Sequence, residues 1–599
     1  MPSPTDEYCA RLERRRAELD RLNRLDARFA GARLAVFALA VVLLVLAVRD
    51  AVPFYALIAP VLVFVLLLRR HDTTIQARDC TARAIAFYER GLARLEDRWA
   101  GSGESGERFR DDHHVYANDL DLFGGASLFQ LLSTARTQPG EETLASWLKA
   151  GASSEEVLAR QAAVRELATA LDLREALAAA GTGARPGTPR ESLVAWAQAR
   201  AVLTPPSLWW VVIGLSAVSV TTLLLSNVIG TLVPAIVVLL IQGAVAVPFR
   251  HRLEVALRGT EAAAHDLDIL AHLLERLERE TFATPKLAFL GRRLKTAGRT
   301  ASGAIRALDW LVEMHDWHHN PYFRLLTLPL MWRLQMAFAI ERWRKQHGHD
   351  VVIWIQTVAE FEALSSLAAY SYEHPADPFP EIAPSGQGPA VARFEGAALG
   401  HPLLPAADAV RNDVRLDERT RLLVVSGSNM SGKSTLLRTV GINAVLGLAG
   451  APVRAGSLRL SPLMIGATLR IQDSLQEGRS RFYAEITRIR EIADLARSGP
   501  LLFLLDELFH GTNSHDRLVG ASGVLRSLLD RGSIGLITTH DLALTAIADE
   551  LAPRAENIHF EDTFDGTDIR FDYLAKPGRV TRSNALALMR AVGLDVGPA

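Results

Sequence analysis

Leu422-Leu423-Val424-Val425-Ser426-Gly427-Ser428-Asn429-Met430-Ser431-Gly432-Lys433-Ser434-Thr435 is the stretch that decides the fold of the last third of this chain. Four apolar residues of strand character run directly into a complete G-x-x-x-x-G-K-S loop, which the pattern places between a strand and a helix. The glycines let the backbone curl so that its N–H groups point inward, and the start of the next helix adds the positive end of its dipole. Such a nest takes phosphate. Lys433 is placed to reach β- and γ-phosphates, and the Ser434 hydroxyl is placed to ligate Mg²⁺.

Two later segments complete the pattern. Leu501 to Leu505 is an unbroken apolar run, suited to a strand buried on both faces, and it ends in Asp506-Glu507. Asp506 can hold Mg²⁺ through its water shell; Glu507 can orient or deprotonate an attacking water. A third strand-like run, Ile534 to Thr538, leads to His540, placed to sense a γ-phosphate. Ligands of a parallel sheet gather at the carboxyl ends of its strands, which is where these residues fall. The expected catalytic set is Glu507, His540 and Lys433, the metal set Ser434 and Asp506. The expected nucleotide-binding set is Gly427, Asn429, Met430, Ser431, Gly432, Lys433, Ser434 and Thr435, with ATP and Mg²⁺ as cofactors.

The chain has 599 residues, more than one core can serve. Lys plus Arg number 66 against 67 for Asp plus Glu, a formal charge of -1 that makes no global case for a nucleic-acid or acidic partner. Cys9 and Cys80 form neither a disulfide framework nor a metal cluster, and a reducing compartment fits them. Hydrophobic residues make up 49% and concentrate in paired runs. Leu34 to Val48 and Ala51 to Leu68 are separated by Arg49-Asp50; Ser207 to Leu225 and Val228 to Val247 are separated by Ser226-Asn227. Each approaches the roughly 20 residues needed to cross a bilayer. Two membrane hairpins are expected, the alternative being two hairpins buried in a soluble helical core, a reading that Pro53, Pro60 and Pro234 favour. Arg11, Arg14, Arg15, Arg16, Arg21, Arg24, Arg28 and Arg33 precede the first run and Arg69 and Arg70 follow the second, so both tails belong on the cytoplasmic side of the cell membrane, and four crossings return the C-terminal part to that side. The first run starts only at Leu34, so a cleavable signal peptide is not expected.

The chain divides by pattern into a basic amphipathic helix (1–33), transmembrane hairpin 1 (34–70), a helical segment ending in the Gly/Ser linker that begins GSGESGER at Gly101 (71–118), and the first part of a helical core (119–200). Hairpin 2 (207–248), a helical core and lever region (253–375), a Pro/Gly-rich connector (376–398) and the loop-bearing domain (399–599) follow.

The motifs resemble one family. SGSNMSGKSTLLRTVG from Ser426, LAGAPVRA from Leu448, GRSRFYAEI from Gly478, DELFHGTNSHD from Asp506 and TTHD from Thr538 are similar to the ordered motifs of MutS ATPases. LDLFGGASLFQLLSTARTQPGEETLASWL from Leu120, FEALSSLAAYSYEHPADPFPEI from Phe361 and GHPLL from Gly400 resemble the helical core, the lever ends and the start of the ATPase domain in that family. The resemblance implies an α/β P-loop NTPase domain of MutS/ABC type, preceded by an all-α core and lever region. It implies a homodimer in which Ser480 completes the partner's site in trans, and mismatched-DNA binding in DNA mismatch repair. Two departures stand out. The mismatch-reading domain has no counterpart in residues 1 to 118, where Ala86-Phe87-Tyr88-Glu89 echoes the family's wedge only by coincidence. Val410-Arg411-Asn412-Asp413 stands where the family places an aromatic residue and a proline, which removes the usual adenine-stacking side chain.

An alternative to the DNA reading is a membrane-anchored switch acting on a protein partner or on the bilayer. A transporter half is disfavoured, because the Leu-Ser-Gly-Gly-Gln signature is missing from the sequence. His315, His318 and His319 read as a polar helix end, His113-His114 as an exposed loop, and Trp209-Trp210 as an interfacial anchor. Arg292, Arg293, Lys295 and Arg299 read as a solvated helix face.

Overall fold

A computed structural model describes residues 3–180, 190–200, 202–203, 207–257, 270–296, 299–316, 327–383, 392–428, 430–470, 481–509, 512–564 and 569–580. Its N-terminal part is helical. Helix α1 (Pro4–Val48) opens with the Ser3 hydroxyl accepting from the Asp6 N–H, a helix cap, and continues unbroken through Arg33 into the apolar run. After the short 3₁₀ turn Phe54–Leu57, α2 (Ile58–Leu95) returns antiparallel to it, joined by Arg16–Glu89, His71–Asp26 and Phe37–Phe64 contacts. The basic helix and hairpin 1 are therefore one pair of long helices. The arginine pairs change the polarity of the helix surface without touching its backbone hydrogen bonds. Pro60 lies in the first turn of α2 and Pro234 at the start of the helix that carries it, where the missing N–H breaks nothing.

The Gly/Ser segment is packed rather than a free linker. Gly106 adopts φ 69°, and a Cβ there would lie 2.6 Å from the Phe129 ring. The Gly101 N–H donates to the Gln130 side chain, and Ser127 Oγ donates to the Ser105 carbonyl. Helices α3 (Gln138–Lys149) and α4 (Ser154–Thr169) follow, each capped by a hydroxyl, from Thr137 and Ser153 respectively.

Hairpin 2 is α5 (Leu208–Ile229), ended by Gly230 in the left-handed conformation, and α6 (Val233–Ala246). It is clasped to α7 (Trp332–Glu373), an unbroken helix of 42 residues. Gln242, buried in α6, donates to the carbonyls of Leu215 and Pro329; Ser216 Oγ donates to the Leu330 carbonyl; and Gln335 donates to both Ser216 Oγ and that carbonyl. Among the described residues, five helices are long and apolar enough to cross a membrane, and burial separates them. The apolar windows in Pro4–Val48, Phe54–Leu95, Leu208–Ser226 and Val233–Glu254 are 6, 11, 17 and 17% buried, whereas that of α7 is 78% buried. Helix α7 is thus a core element packed along α3 and α4.

Beyond α7 the chain becomes mixed α/β. Strands β1 (Glu381–Ile382), β2 (Phe394–Leu399), β3 (Asn412–Leu416) and β5 (Ser457–Leu460) form a four-stranded sheet in the order β1-β5-β2-β3. Part of the segment expected as a connector thus belongs to this sheet. The second sheet has β4 (Leu422–Ser426), β6 (Met464–Thr468), β7 (Leu501–Asp506), β8 (Ile534–Thr539), β9 (Ala555–Phe564) and β10 (Ile569–Pro577), in the order β10-β9-β4-β8-β7-β6. Strands β9, β4, β8, β7 and β6 are parallel, and β10 pairs antiparallel at the edge. Every residue of β4 and β8 is buried, as continuous apolar strands covered on both faces require.

Helix α8 (Lys433–Ala449) is the joint between the two parts. A Cβ at Gly441 would meet Leu120 at 2.5 Å and Leu504 at 2.7 Å, so the helical region and the sheet press on the same turn. Close by, the buried Asp119 carboxylate accepts from the N–H groups of Leu469 and Arg470 at 2.6 and 2.7 Å.

Candidate nucleotide-binding site

Strands β4, β8 and β7 lie side by side, with Thr539 opposite Ser426 and Thr538 opposite Asp506. That register brings the loop after β4, the Asp506-Glu507 tip of β7 and the His540 end of β8 together at one sheet edge. The loop turns through Gly427 at φ 150° and Gly432 at φ 102°, and Met430 is left-handed at 68° with an exposed side chain. A Cβ at Gly427 would lie 2.9 Å from Ser431 Oγ and 3.1 Å from the Phe560 carbonyl; one at Gly432 would lie 3.2 Å from the Tyr573 ring. Only glycine fits both positions.

Lys433 opens α8 and is buried. Its Nζ donates to the carbonyls of Gly427 and Ser428 at 2.9 and 2.6 Å and lies 3.5 Å from His540 Nδ1. Burial lowers the pKa of this amine, and the charges of Glu507 and Asp506 oppose that shift. Ser434 Oγ donates to Asp506 Oδ2 at 2.7 Å. Thr538 Oγ1 donates to the other Asp506 oxygen and accepts the Glu507 N–H at 3.1 Å, so one hydroxyl fixes both acids. His540 Nε2 pairs with the Glu507 carboxylate. Behind that pair lies a pocket of about 180 Å³ lined by Glu507, Arg517, His540 and Asp541.

The donor set suits a magnesium-bound triphosphate. Ser428 Oγ and Ser431 Oγ are buried without a hydrogen-bond partner among the described residues, at the centre of the loop. The lysine amine rests on loop carbonyls, where a phosphate oxygen can take it, and the Ser434–Asp506 contact joins the two oxygens expected to hold the metal. Lys433, Ser434, Asp506, Glu507 and His540 are thus brought together. Gly427, Ser431 and Gly432 shape the loop, Met430 projects from it, and Thr435 is exposed in the first turn of α8. Asn429 and Ser480 lie outside the described residues.

Other residues at the site were not singled out from sequence. Thr538 carries a readable signal, a hydroxyl at a strand tip next to an acid. Tyr573 does not: its ring reaches Gly432 because β10 folds back antiparallel, at φ 54°, with its carbonyl held by Asn412 Nδ2 at 3.0 Å. Arg517 enters the pocket from α10 (Ser514–Asp530). The residues set aside earlier stay apart from the site. Phe87 and Tyr88 are core residues packed on Tyr8, and His315 is buried in the helix Ala301–Asp316. His318 and His319 fall outside the described residues, and no metal-binding cluster of His, Cys, Asp or Glu occurs among those described.

A parallel sheet with a G-x-x-x-x-G-K-S loop after a central strand, an acidic pair on a nearby strand and a histidine on the strand between them is a P-loop-like arrangement. Comparison with known proteins narrows the class. Residues 423–596 match the family model for MutS domain V. The endonuclease MutS2 of Thermus thermophilus is 37% identical over 203 residues, covering 34% of this chain and 26% of the relative. The DNA mismatch repair protein MutS 2 of Halobacterium salinarum is 33% identical over 247 residues (40% and 27%), and that of Haloarcula marismortui 35% over 221 (35% and 23%). Residues 423–596 thus carry the likeness to MutS proteins, and the chain spans about a quarter of the length of these relatives.

Proposed function

We propose that this protein is a membrane-anchored, MutS-like ATPase that binds and hydrolyses Mg-ATP in a dimeric site. The convergence of Lys433, Ser434, Asp506, Glu507 and His540 at one sheet edge carries the reading. In it, the N–H groups of Gly427 to Thr435 and the Lys433 amine hold the β- and γ-phosphates, and Ser434 and Asp506 hold Mg²⁺. Mg²⁺ held by these two oxygens would supply neutralisation of charge on the phosphates. Glu507, oriented by Thr538 and by its contact with His540, takes a proton from the attacking water. Tyr573 stands in for the missing aromatic residue near Val410 and stacks on the base. Ser480 acts on the partner's nucleotide in a homodimer.

The four little-buried apolar helices support two spanning hairpins in the cytoplasmic membrane. The arginines from Arg11 to Arg33 before the first run, with Arg69 and Arg70 after the second, support a cytoplasmic N-terminus and a cytoplasmic nucleotide domain. Two assignments of the output follow from different observations. The names of the relatives support mismatched-DNA binding and a role in mismatch repair. The clasp of hairpin 2 on α7 and the buried ion pair of Arg94 on α2 with Glu373, the last residue of α7, support a switch acting on a protein partner or on the bilayer without DNA. ATP hydrolysis by the detergent-solubilised protein, with and without homoduplex, mismatched and branched DNA over a salt series, separates them. Stimulation that falls with salt supports the first, and indifference to every duplex supports the second.

A further inference from the structure

Glu485 is on helix α9 (Arg481–Leu495) and is not one of the groups assigned above to nucleotide or metal. Its side chain is buried at 4% exposure, and its carboxylate accepts the backbone N–H of Phe509, two residues beyond Glu507. The position of that amide matters because Glu507 and Phe509 both adopt left-handed backbone, at φ 49° and 57°. Non-glycine residues keep such a conformation only where their surroundings impose it. Three contacts among the described residues help to hold it: Thr538 Oγ1 accepts the Glu507 N–H, Glu485 accepts the Phe509 N–H, and the Phe482 ring meets Phe509 edge-on at 6.3 Å. Two of the three come from α9. That helix begins one residue after Ser480, the residue assigned to the partner's site.

We propose that Glu485 is a positioning residue for Glu507. Helix α9 is a strut that holds the Glu507–Phe509 turn, so the Glu485 contact sets the rate of hydrolysis rather than the affinity for nucleotide. The proposal rests on the ATPase reading.

The test uses the full chain in detergent, with E485A, E485Q and E485D compared by steady-state ATP hydrolysis and by equilibrium binding of a fluorescent ATP analogue. Misplacing a reacting group by about 1 Å lowers rates by as much as about a hundredfold. E485A is therefore expected to lose ten- to a hundredfold in kcat, with KM and Kd within about threefold of wild type. E485Q keeps an oxygen that can accept the Phe509 N–H and is expected to retain most of kcat. E485D is expected to fall between them, and it carries the test if E485A does not fold. Equal loss in E485A and E485Q, unchanged kcat in E485A and E485D, or a loss expressed in Kd overturns the proposal. Wild-type protein that neither binds nor hydrolyses ATP is a different outcome: it removes the ATPase reading on which the proposal depends.

Discussion

Arg94→Met cuts the tie between the N-terminal helix pair and the last residue of α7. Arg94 donates through Nε and Nη2 to the two oxygens of Glu373 at 2.6 Å each, and the Tyr8 hydroxyl donates to the same carboxylate at 3.2 Å. The side chains are 6% and 0% exposed, so solvent screens the pair little. Methionine keeps the length and apolar stem of the arginine while leaving Glu373 without its cation. Removing one partner of a buried pair is destabilising by about 3–5 kcal/mol, because the remaining charge is stranded. Adding Glu373→Gln removes that charge and keeps an acceptor for Tyr8, so the double variant is expected to regain most of the loss. Denaturant unfolding of the detergent-solubilised protein, read by tryptophan fluorescence, measures both shifts at constant slope. A shift under about 1 kcal/mol for Arg94→Met, or a double variant as unstable as the single, refutes the reasoning.

Tyr573→Ala is expected to raise KM for ATP about tenfold with little change in kcat, since stacking a base on an aromatic ring is worth about 1–3 kcal/mol. Equal KM in steady-state hydrolysis removes Tyr573 from the base site. Gly432→Ala places a methyl group 3.2 Å from the Tyr573 ring at φ 102° and is expected to weaken nucleotide binding by at least about tenfold, measured by titration, while leaving far-ultraviolet circular dichroism unchanged. Burial pushes the Glu362 carboxyl up to about 7, against the hydrogen bonds from Thr137 and Arg136 that favour the ionised form. A folded value above the unfolded one means that the bound proton stabilises the protein fully below about pH 4.5, and that this contribution is gone above about 7. The gap is worth about 3 kcal/mol. Glu362→Gln cannot titrate, so its Tm relative to wild type is expected to rise from pH 5 to pH 8; a flat or falling difference contradicts the assignment.

The strands at Leu422, Leu501 and Ile534 were legible because each is a continuous apolar run ending in a chemically distinctive residue, and that pattern is local. The sheet order was not: nothing within Ile534–Thr539 records that it lies between the other two, although that placement is what lets Thr538 bridge Asp506 and Glu507. Tyr573 and the Glu485–Phe509 contact depend on how an edge strand and a helix fold back, which no spacing in the chain encodes. The breaks expected at Arg33 and Arg69-Arg70 mark changes of surface polarity, and a helix backbone runs through such changes undisturbed. The glycines after Trp99 suggested a linker, but glycine serves close packing as readily as flexibility, and Gly106 against Phe129 is the former.

Parallel measurement of ATP binding and ATP turnover for wild type and Glu507→Gln addresses the central claim most directly. The account predicts that wild type binds and hydrolyses Mg-ATP, and that Glu507→Gln binds it with similar affinity and does not turn over. Wild-type protein that fails to bind ATP, or a variant that hydrolyses it at the wild-type rate, contradicts the account.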